Sequence, residues 1–146
     1  MRLSPILPTQ PIRLILVLID IYAKKNLLSS YRLWWSGLLR QYLNFFEEAR
    51  TEYFASKGVS IKLLAKGGTM FVVARQEIDY KFPGAYGDEL DVQTRVGAMT
   101  GVRIEFLHEI YNQNQKLIVQ GKTTLVCVDS NLKPQAIPED LRKKIS

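Results

Sequence analysis

Cysteine and histidine are almost missing from the 146-residue chain, which has one of each, Cys127 and His108. A single cysteine excludes an intrachain disulfide and fits the reducing cytoplasm, where we expect the protein to reside. No group of cysteines, histidines and carboxylates has metal-ligand spacing, so a metal enzyme is not expected. The pair Gly67-Gly68 lacks the lysine and the spacing of a phosphate-binding loop. The sequence therefore implies neither a metal nor another cofactor.

Long hydrophobic runs are absent as well. The most apolar stretch, residues 12–22, is broken by Arg13 and Asp20. It is shorter than the roughly 20 apolar residues that a membrane-spanning helix requires. We interpret it as a buried strand. The alternative is a targeting signal, but no small-residue cleavage site follows it. No membrane span is predicted.

Acidic residues are fewer than basic ones, and the formal net charge is +6. The basic residues are scattered, without the dense block or the interleaved aromatic rings of a nucleic-acid surface, so nucleic acid is not an expected partner. An anionic small molecule such as a coenzyme is one candidate partner. The plain alternative is that the charge keeps the protein soluble. The length is that of one ordinary domain.

A helix is predicted over residues 42–58, and the rest of the chain is organised around it. Its apolar and aromatic side chains recur at spacings of three and four, which places them on one helix face: Tyr42, Phe45, Phe46, Ala49, Tyr53 and Phe54. Glu47, Glu48 and Glu52 lie toward the predicted start, an order that suits the helix dipole. Gly58 suits a left-handed C-terminal cap.

The sequence after this helix predicts mostly strands. Alternating or β-branched stretches indicate strands at residues 69–80, 88–99, 102–111 and 116–129. Gly121 is expected at a bulge or a bend. A short amphipathic segment occupies residues 59–66, and a short helix is predicted over residues 138–145. The whole pattern predicts an α+β protein with a sheet of about five strands wrapped around a long helix.

The titratable residues form no complete catalytic constellation. His108 lies among apolar strand residues without a nucleophile, so we prefer a hydrogen-bonded core histidine to a catalytic one. Glu47 could act as a general base if burial raised its pKa. The alternative for Glu47 is an acid stabilised by the helix dipole. Arg50 could pair with Glu47, and Arg103 could meet a phosphate.

Three blocks of the sequence together resemble the hotdog-fold acyl-CoA thioesterases. They are NFFEEARTEYFASKG at residues 44–58, FVVARQEIDYKFPGAYGDELDVQTRV at residues 71–96 and TTLVCVDSNLKPQAIPEDL at residues 123–141. The resemblance is nearest to the bacterial Tol–Pal-associated thioesterases, which are related to 4-hydroxybenzoyl-CoA thioesterase. It extends from Tyr42 to the C-terminus, so we regard residues 42–146 as a hotdog domain.

The resemblance implies a hydrolase that cleaves the thioester of short-chain or aromatic acyl-CoA. It also implies homodimers or homotetramers with active sites between subunits and a coenzyme A tail lying across the surface. An acyl carrier protein is a further candidate partner. Carried over to this chain, the candidate substrate-binding residues are Tyr42 and Asn44 near the helix start and Thr100, Gly101 and Arg103 on the coenzyme side.

The catalytic acid of the resembled family is missing. Its motif, Thr-Asp-x-x-Gly-Val-Val-Tyr, precedes the helix, and counting back from Tyr42 puts the aspartate at Arg32. As written, the chain supplies no catalytic aspartate, and Glu47 is a weak substitute. With permitted codons and the first base dropped, residues 31–41 spell Thr-Asp-Cys-Gly-Gly-Val-Val-Tyr-Tyr-Ala. We therefore hypothesise that residues 1–41 are an aberrant, out-of-frame segment.

Two alternatives to an ordinary thioesterase follow from the missing acid. The N-terminal segment could be a genuine, divergent sequence that has lost catalysis. In that case the protein would be a non-catalytic hotdog subunit that binds acyl-CoA or an acyl carrier protein. Turnover of acyl-CoA separates this hypothesis from that of an active enzyme.

Overall fold

The computed structural model describes residues 12–17, 31–84 and 88–145. A long helix lies against one antiparallel sheet of five strands, which is the arrangement that the hotdog resemblance implies. The strands are β1 (Ile12–Val17), β2 (Met70–Tyr80), β3 (Glu89–Met99), β4 (Arg103–Tyr111) and β5 (Leu117–Val128). Their order across the sheet is β1-β3-β4-β5-β2, so β1 and β2 form its two edges.

The long helix α1 spans Tyr31–Ser56 and therefore begins well before residue 42, where the sequence analysis put its start. Residues 31–41 contain mostly leucine, arginine and glutamine, which tolerate a helix well, and extending an existing helix costs less than starting one. The predicted dipole argument is wrong, because Glu47 and Glu48 lie in the middle of α1 and its first turn has no acid. The helix also runs without a break across residues 41–42.

The predicted apolar face of α1 is confirmed. Its six members are each at most 4% exposed: Tyr42, Phe45, Phe46, Ala49, Tyr53 and Phe54. The predicted cap is confirmed too, because Gly58 has φ +75°, and its N–H donates to the Ala55 carbonyl at 3.0 Å. This left-handed residue ends α1 and turns the chain toward α2 (Ile61–Lys66), which Ser60 caps by accepting the Leu63 N–H.

The predicted strands are confirmed within one or two residues at each end. Inward side chains alternate along β3 and β4 as expected, with Val92, Thr94, Ile104 and Phe106 buried. Of the two expectations at Gly121, a bulge or a bend, the bulge is wrong, because the pairing of β5 with β2 and β4 is regular there. A Cβ at Gly121 would lie 2.6 Å from the Phe46 ring, so this glycine lets α1 approach the sheet closely.

Part of the apolar stretch at residues 12–22 forms a strand, as expected. Ile12–Val17 is β1, and it pairs with residues 89–94 of β3. Residues 1–11 and 18–30, which include the rest of that stretch, lie outside the described part of the chain. Among the described residues, no helix combines the length and the apolar character needed to cross a bilayer.

The core has two clusters at opposite ends of α1. One surrounds Tyr42 and Phe46 and includes Leu90, Ile110 and Val119. The other surrounds Phe54 and includes Phe106, Leu125, Cys127 and the buried face of α3 (Glu139–Ile145), the short C-terminal helix that the sequence predicted. The two clusters give the molecule two distinct ends, and the candidate site residues divide between them.

Candidate functional site

A buried polar network connects α1 to four strands. Its centre is the Thr123 hydroxyl, which donates to Gln76 Oε1 at 2.7 Å and accepts from Arg50 Nη1 at 3.2 Å. His108 Nε2 lies 3.0 Å from the same oxygen, and His108 Nδ1 lies 2.8 Å from the Thr94 hydroxyl. Because the Thr123 proton is committed to Gln76, His108 carries its proton on Nε2 and accepts from Thr94 on Nδ1.

His108 is therefore the hydrogen-bonded core histidine that the sequence favoured. Its ring is fully buried and stacks on Phe46 with the ring centroids 4.2 Å apart. Burial, and secondarily the charge of Arg50, lower the pKa of His108 to about 3, so the ring is neutral at physiological pH. Cys127 is also buried, and burial raises the pKa of its thiol. Neither residue is presented for nucleophilic or acid–base catalysis.

Glu47 and Arg50 occupy the same stretch of α1 but differ in environment. Glu47 is exposed, so this chain does not supply the burial on which the general-base hypothesis rests. Arg50 is half-buried and points toward β5 and β2. Burial lowers the pKa of its guanidinium, and the charge of Glu47 opposes that shift. The pairing of Arg50 with Glu47 that the sequence suggested is not formed as an ion pair between these two described residues, and the hydrogen bond of Arg50 goes to Thr123 instead.

Tyr42 and Asn44 lie at one end of the sheet. The Tyr42 ring is 1% exposed and packs 5.9 Å, centroid to centroid, from the Tyr80 ring at the end of β2. Asn44 is exposed on the outer side of α1. The burial of Tyr42 supports a role in shaping this end of the molecule more than a direct contact with a ligand.

Thr100 and Arg103 line a groove of about 410 Å³ on the sheet face opposite α1. Arg75, Lys122 and Thr124 line it with them, as do two acids, Glu77 and Glu105. Lys122 lies 3.6 Å from Glu105, and Arg75 lies 3.4 Å from Glu77. Among the described residues, the Arg103 guanidinium has no ion-pair partner, so the groove presents a cation and hydroxyl groups suited to a phosphate.

The connection between β3 and β4 holds Thr100, Gly101 and Arg103 together. The Thr100 hydroxyl accepts the Arg103 N–H at 3.1 Å, and the Thr100 N–H donates to the Arg103 carbonyl at 2.9 Å. From α3, Arg142 Nη2 donates to the carbonyls of Thr100 and Gly101 at 2.8 and 3.2 Å. The connection is a tight turn, and the three coenzyme-side candidates form one local unit.

Within one chain, the candidates at the helix (Tyr42 and Asn44) lie far from the coenzyme-side candidates (Thr100, Gly101 and Arg103). Tyr42 packs on Tyr80, which pairs with Val119, whereas Arg103 pairs with Val126. The seven residue steps from Val119 to Val126 correspond to roughly 23 Å along β5. The two sets also lie on opposite faces of the sheet. A ligand that touches both sets must therefore be long or must bind between two chains.

The sequence analysis missed Arg75 and Lys122, whose side chains complete the groove beside Arg103. Strand alternation could have put them on the outer face of their own strands, but the order β4-β5-β2 that makes them neighbours has no local sequence pattern. Arg32 lies in the first turn of α1, and its side chain lies outside the described part of the chain. Within that part, no group of three or more histidine, cysteine or carboxylate residues could hold a metal ion.

Comparisons with known proteins identify thioesterases as relatives of this chain. Residues 39–145 match the model of the thioesterase-like superfamily. The acyl-CoA thioester hydrolase YbgC of Escherichia coli is 32% identical over 101 residues, which cover 68% of this chain and 75% of that protein. The matched segment begins close to residue 42, and it includes α1 from Leu39 onward, β2 to β5 and α3.

Two solved structures share the fold. A DHNA-CoA thioesterase from Staphylococcus aureus is 27% identical with a TM-score of 0.66, over 70% of this chain and 72% of that one. A thioesterase from Thermus thermophilus, solved with coenzyme A and zinc, is 26% identical with a TM-score of 0.68, over 93% of this chain and 98% of that one. The hotdog architecture expected from the sequence is thereby confirmed.

Proposed function

Since the chain belongs to the thioesterase-like superfamily, a family of hotdog-fold acyl-CoA thioester hydrolases, we propose that its function is hydrolysis of short-chain or aromatic acyl-CoA in the cytoplasm. The observation that carries this proposal is the family match over residues 39–145, which spans the long helix from Leu39 onward and four of the five strands. The finer resemblance to Tol–Pal-associated and 4-hydroxybenzoyl-CoA thioesterases is part of the proposal.

The proposed enzyme is a homodimer that pairs the β2 strands of two subunits. β2 is an edge strand, and Val72 and Val73 on it are 38% and 52% exposed. Antiparallel pairing about a two-fold axis near the middle of β2 would set the Tyr80 end of one strand beside the Val72 end of its partner. Two such dimers could associate further into a tetramer.

This dimer would join the two sets of candidate residues. Tyr42 packs on Tyr80, and Arg103 lies in the same row of the sheet as Val72, through Val126 of β5. The Tyr42 end of one subunit would therefore border the Arg103 groove of the other. This geometry supports active sites between subunits, with the acyl group near Tyr42 and Asn44 and the coenzyme near Thr100, Gly101 and Arg103.

The phosphates of the coenzyme would bind in the groove beside Arg103. Guanidinium groups bind phosphate through paired hydrogen bonds, and Arg75 and Lys122 add positive charge in the same groove. We expect Arg103→Ala to raise KM for acyl-CoA about tenfold with little change in kcat, because the phosphates bind equally in the ground and transition states. An unchanged KM would argue against this site.

Hydrolysis needs an acid or base beside the thioester and donors for the developing oxyanion. The resembled family uses an aspartate, and this chain has Arg32 at that position, so we propose that the polypeptide as written is impaired. Glu47 is the remaining candidate base, and it is exposed within the single chain. A neighbouring subunit or a bound substrate would have to supply its desolvation.

The deciding experiment compares two proteins. One is the chain as written, and the other carries Thr-Asp-Cys-Gly-Gly-Val-Val-Tyr-Tyr-Ala, the out-of-frame reading, in place of residues 31–40. With butyryl-CoA and benzoyl-CoA, we expect the second protein to turn over at least a hundredfold faster. Glu47→Gln in the chain as written tests whether residual activity depends on Glu47. No hydrolysis by either protein would overturn the proposed function.

A second candidate is a non-catalytic hotdog subunit that binds acyl-CoA or an acyl carrier protein. The arginine at position 32 favours this alternative. Isothermal titration with a non-hydrolysable acyl-CoA thioether separates the two: tight binding by the chain as written, without turnover of the matching thioester, supports the binding role. Hydrolysis at rates typical of the family would contradict both this alternative and the proposed impairment.

A further inference from the structure

A shallow apolar groove lies between α2 and α3, on the end of the molecule that holds the second core cluster. It encloses about 240 Å³, and its apolar lining comes from Val59, Leu63, Leu64 and Leu141. Leu64 and Leu141 belong to the core beneath, whereas Leu63 is 67% exposed. An exposed leucine beside an apolar groove is a feature of surfaces that bind another protein.

Much of the net positive charge of the chain lies on the two segments that form this groove. Residues 57–66 and 139–145 contain six basic and two acidic residues, a net charge of +4 out of the total of +6. Lys62, Lys66, Lys143 and Lys144 are all exposed, and Lys144 lines the groove directly. Most of the excess charge that seemed scattered along the sequence thus lies on the two segments that meet at this groove.

The acids near the groove neutralise little of this charge. Glu139 lies 3.8 Å from Arg142, so that pair contributes no net charge. Asp140 lines the groove opposite α2 and is the one acid among its lining residues. Lys57 lies over the Tyr53 ring, with Nζ 5.5 Å from the ring centroid. Lys62, Lys66, Lys143 and Lys144 are exposed on the two helices that form the groove, and of these Lys144 lines it.

We propose that this groove docks an acidic amphipathic helix of a partner protein. A groove between two helices accepts the apolar face of a third helix, whose side chains recur at spacings of three and four. Acidic residues flanking that face would meet the lysines, which adds attraction and steers the encounter. A concave apolar floor suits a helix better than it suits the flat surface of a lipid bilayer or the phosphate backbone of a duplex.

The docking surface lies next to the coenzyme-side turn. Arg142 follows Leu141 on α3, and its guanidinium donates to the Thr100 and Gly101 carbonyls. A partner helix bound between α2 and α3 would therefore lie beside the turn that carries Thr100. Its acidic residues would be complementary in charge to the lysines of α2 and α3. The docking itself does not depend on hydrolysis, so it goes beyond the proposed function.

Fluorescence anisotropy with a synthetic helical peptide tests the proposal. The probe has leucines on one face and glutamates elsewhere, and a second peptide has the same composition with the leucines dispersed. On the full chain at physiological salt, the first peptide should bind at least tenfold more tightly than the second. Leu63→Ser and the double reversal Lys62→Glu/Lys66→Glu should each weaken binding of the first peptide at least tenfold.

The matched control reverses two lysines at the other end of the molecule. Lys81→Glu/Lys116→Glu makes the same change in net charge on exposed residues and should alter binding less than twofold. The proposal would be overturned if the two peptides bound with equal affinity, or if the control variant lost as much affinity as Lys62→Glu/Lys66→Glu. Either result would show that binding is general charge attraction. Tighter binding to vesicles of phosphatidylcholine and phosphatidylserine, or to a DNA duplex, with the same dependence on Leu63 would also overturn it.

Discussion

The Thr123 hydroxyl is joined by hydrogen bonds to Arg50 on the helix, His108 on β4 and Gln76 on β2. Each partner alone would be a costly polar group in an apolar core, and together they satisfy one another. None of this was visible in the sequence, because the four residues are distant in the chain and of unremarkable types. The preference for a structural His108 was right because a lone histidine lacks catalytic partners.

The low pKa of His108 makes a specific prediction about acid stability. The unfolded chain takes up a proton near pH 6.5 and the folded chain not until about pH 3. The free energy of unfolding should therefore fall as pH drops below 6.5, by about 3 kcal/mol between pH 7 and 4.5 from this group. Urea unfolding at a series of pH values checks this. Over the same pH range, the free energy of unfolding of His108→Gln should fall less than that of the unsubstituted chain, by about that amount.

A direct measurement accompanies the unfolding curves. His108 is the only histidine of the chain, so its imidazole resonances need no assignment in an NMR titration of the folded protein. They should not shift between pH 8 and 5. A titration midpoint near 6.5 would contradict both the buried ring and the predicted source of the acid sensitivity.

Gly121 carries the second prediction at this scale. A methyl group there would lie 2.6 Å from the Phe46 ring and 3.3 Å from the Glu77 carbonyl oxygen. Gly121→Ala should lower the free energy of unfolding by about 2–3 kcal/mol, because α1 must move away from the sheet. Gly101→Ala, where a Cβ would meet nothing within 4 Å, is the matched control. A loss below about 0.5 kcal/mol, the scatter of surface substitutions, would contradict the close-packing argument.

Among the elements, α1 and the strands were the most predictable. Spacings of three and four defined the buried face of α1, and alternation of two defined the inner faces of β3 and β4, because burial on one face imposes these periods directly. The start of α1 was misplaced because helix ends depend on weak local signals. The neighbours of each strand were not predictable, since the order β1-β3-β4-β5-β2 depends on long-range packing.

The end of α1 depends on one backbone conformation. Gly58 has φ +75°, which other residues adopt at a cost of about 1 kcal/mol or more. Gly58→Ala should therefore lower the free energy of unfolding by about 1 kcal/mol, and Gly58→Asn should lower it less, because asparagine tolerates this conformation. Gly67→Ala, at φ −85°, is the control and should be close to neutral in thermal unfolding. An equal loss in both alanine variants would exclude the left-handed cap as the cause.

At the scale of the whole molecule, the candidate site is incomplete in one chain. The Tyr42 end and the Arg103 groove are separated by the length of the sheet, and the sequence could not reveal this because both sets were assigned by motif alone. The proposed pairing through β2 would remove the separation and would cover Val72 and Val73, which are exposed in the single chain. The proposed activity therefore depends on the association of two chains.

Blocking the β2 edge should consequently abolish both the dimer and the activity. A lysine on an edge strand opposes pairing with a second strand because it must be buried on association. We expect Val73→Lys to sediment as a monomer in analytical ultracentrifugation and to lose acyl-CoA hydrolysis in the protein with the restored motif. Leu132→Lys changes an equally exposed residue away from β2 and should leave both unchanged. A Val73→Lys protein that remains dimeric would show that the chains associate through another surface, and a monomer that retains full activity would show that one chain holds the whole site.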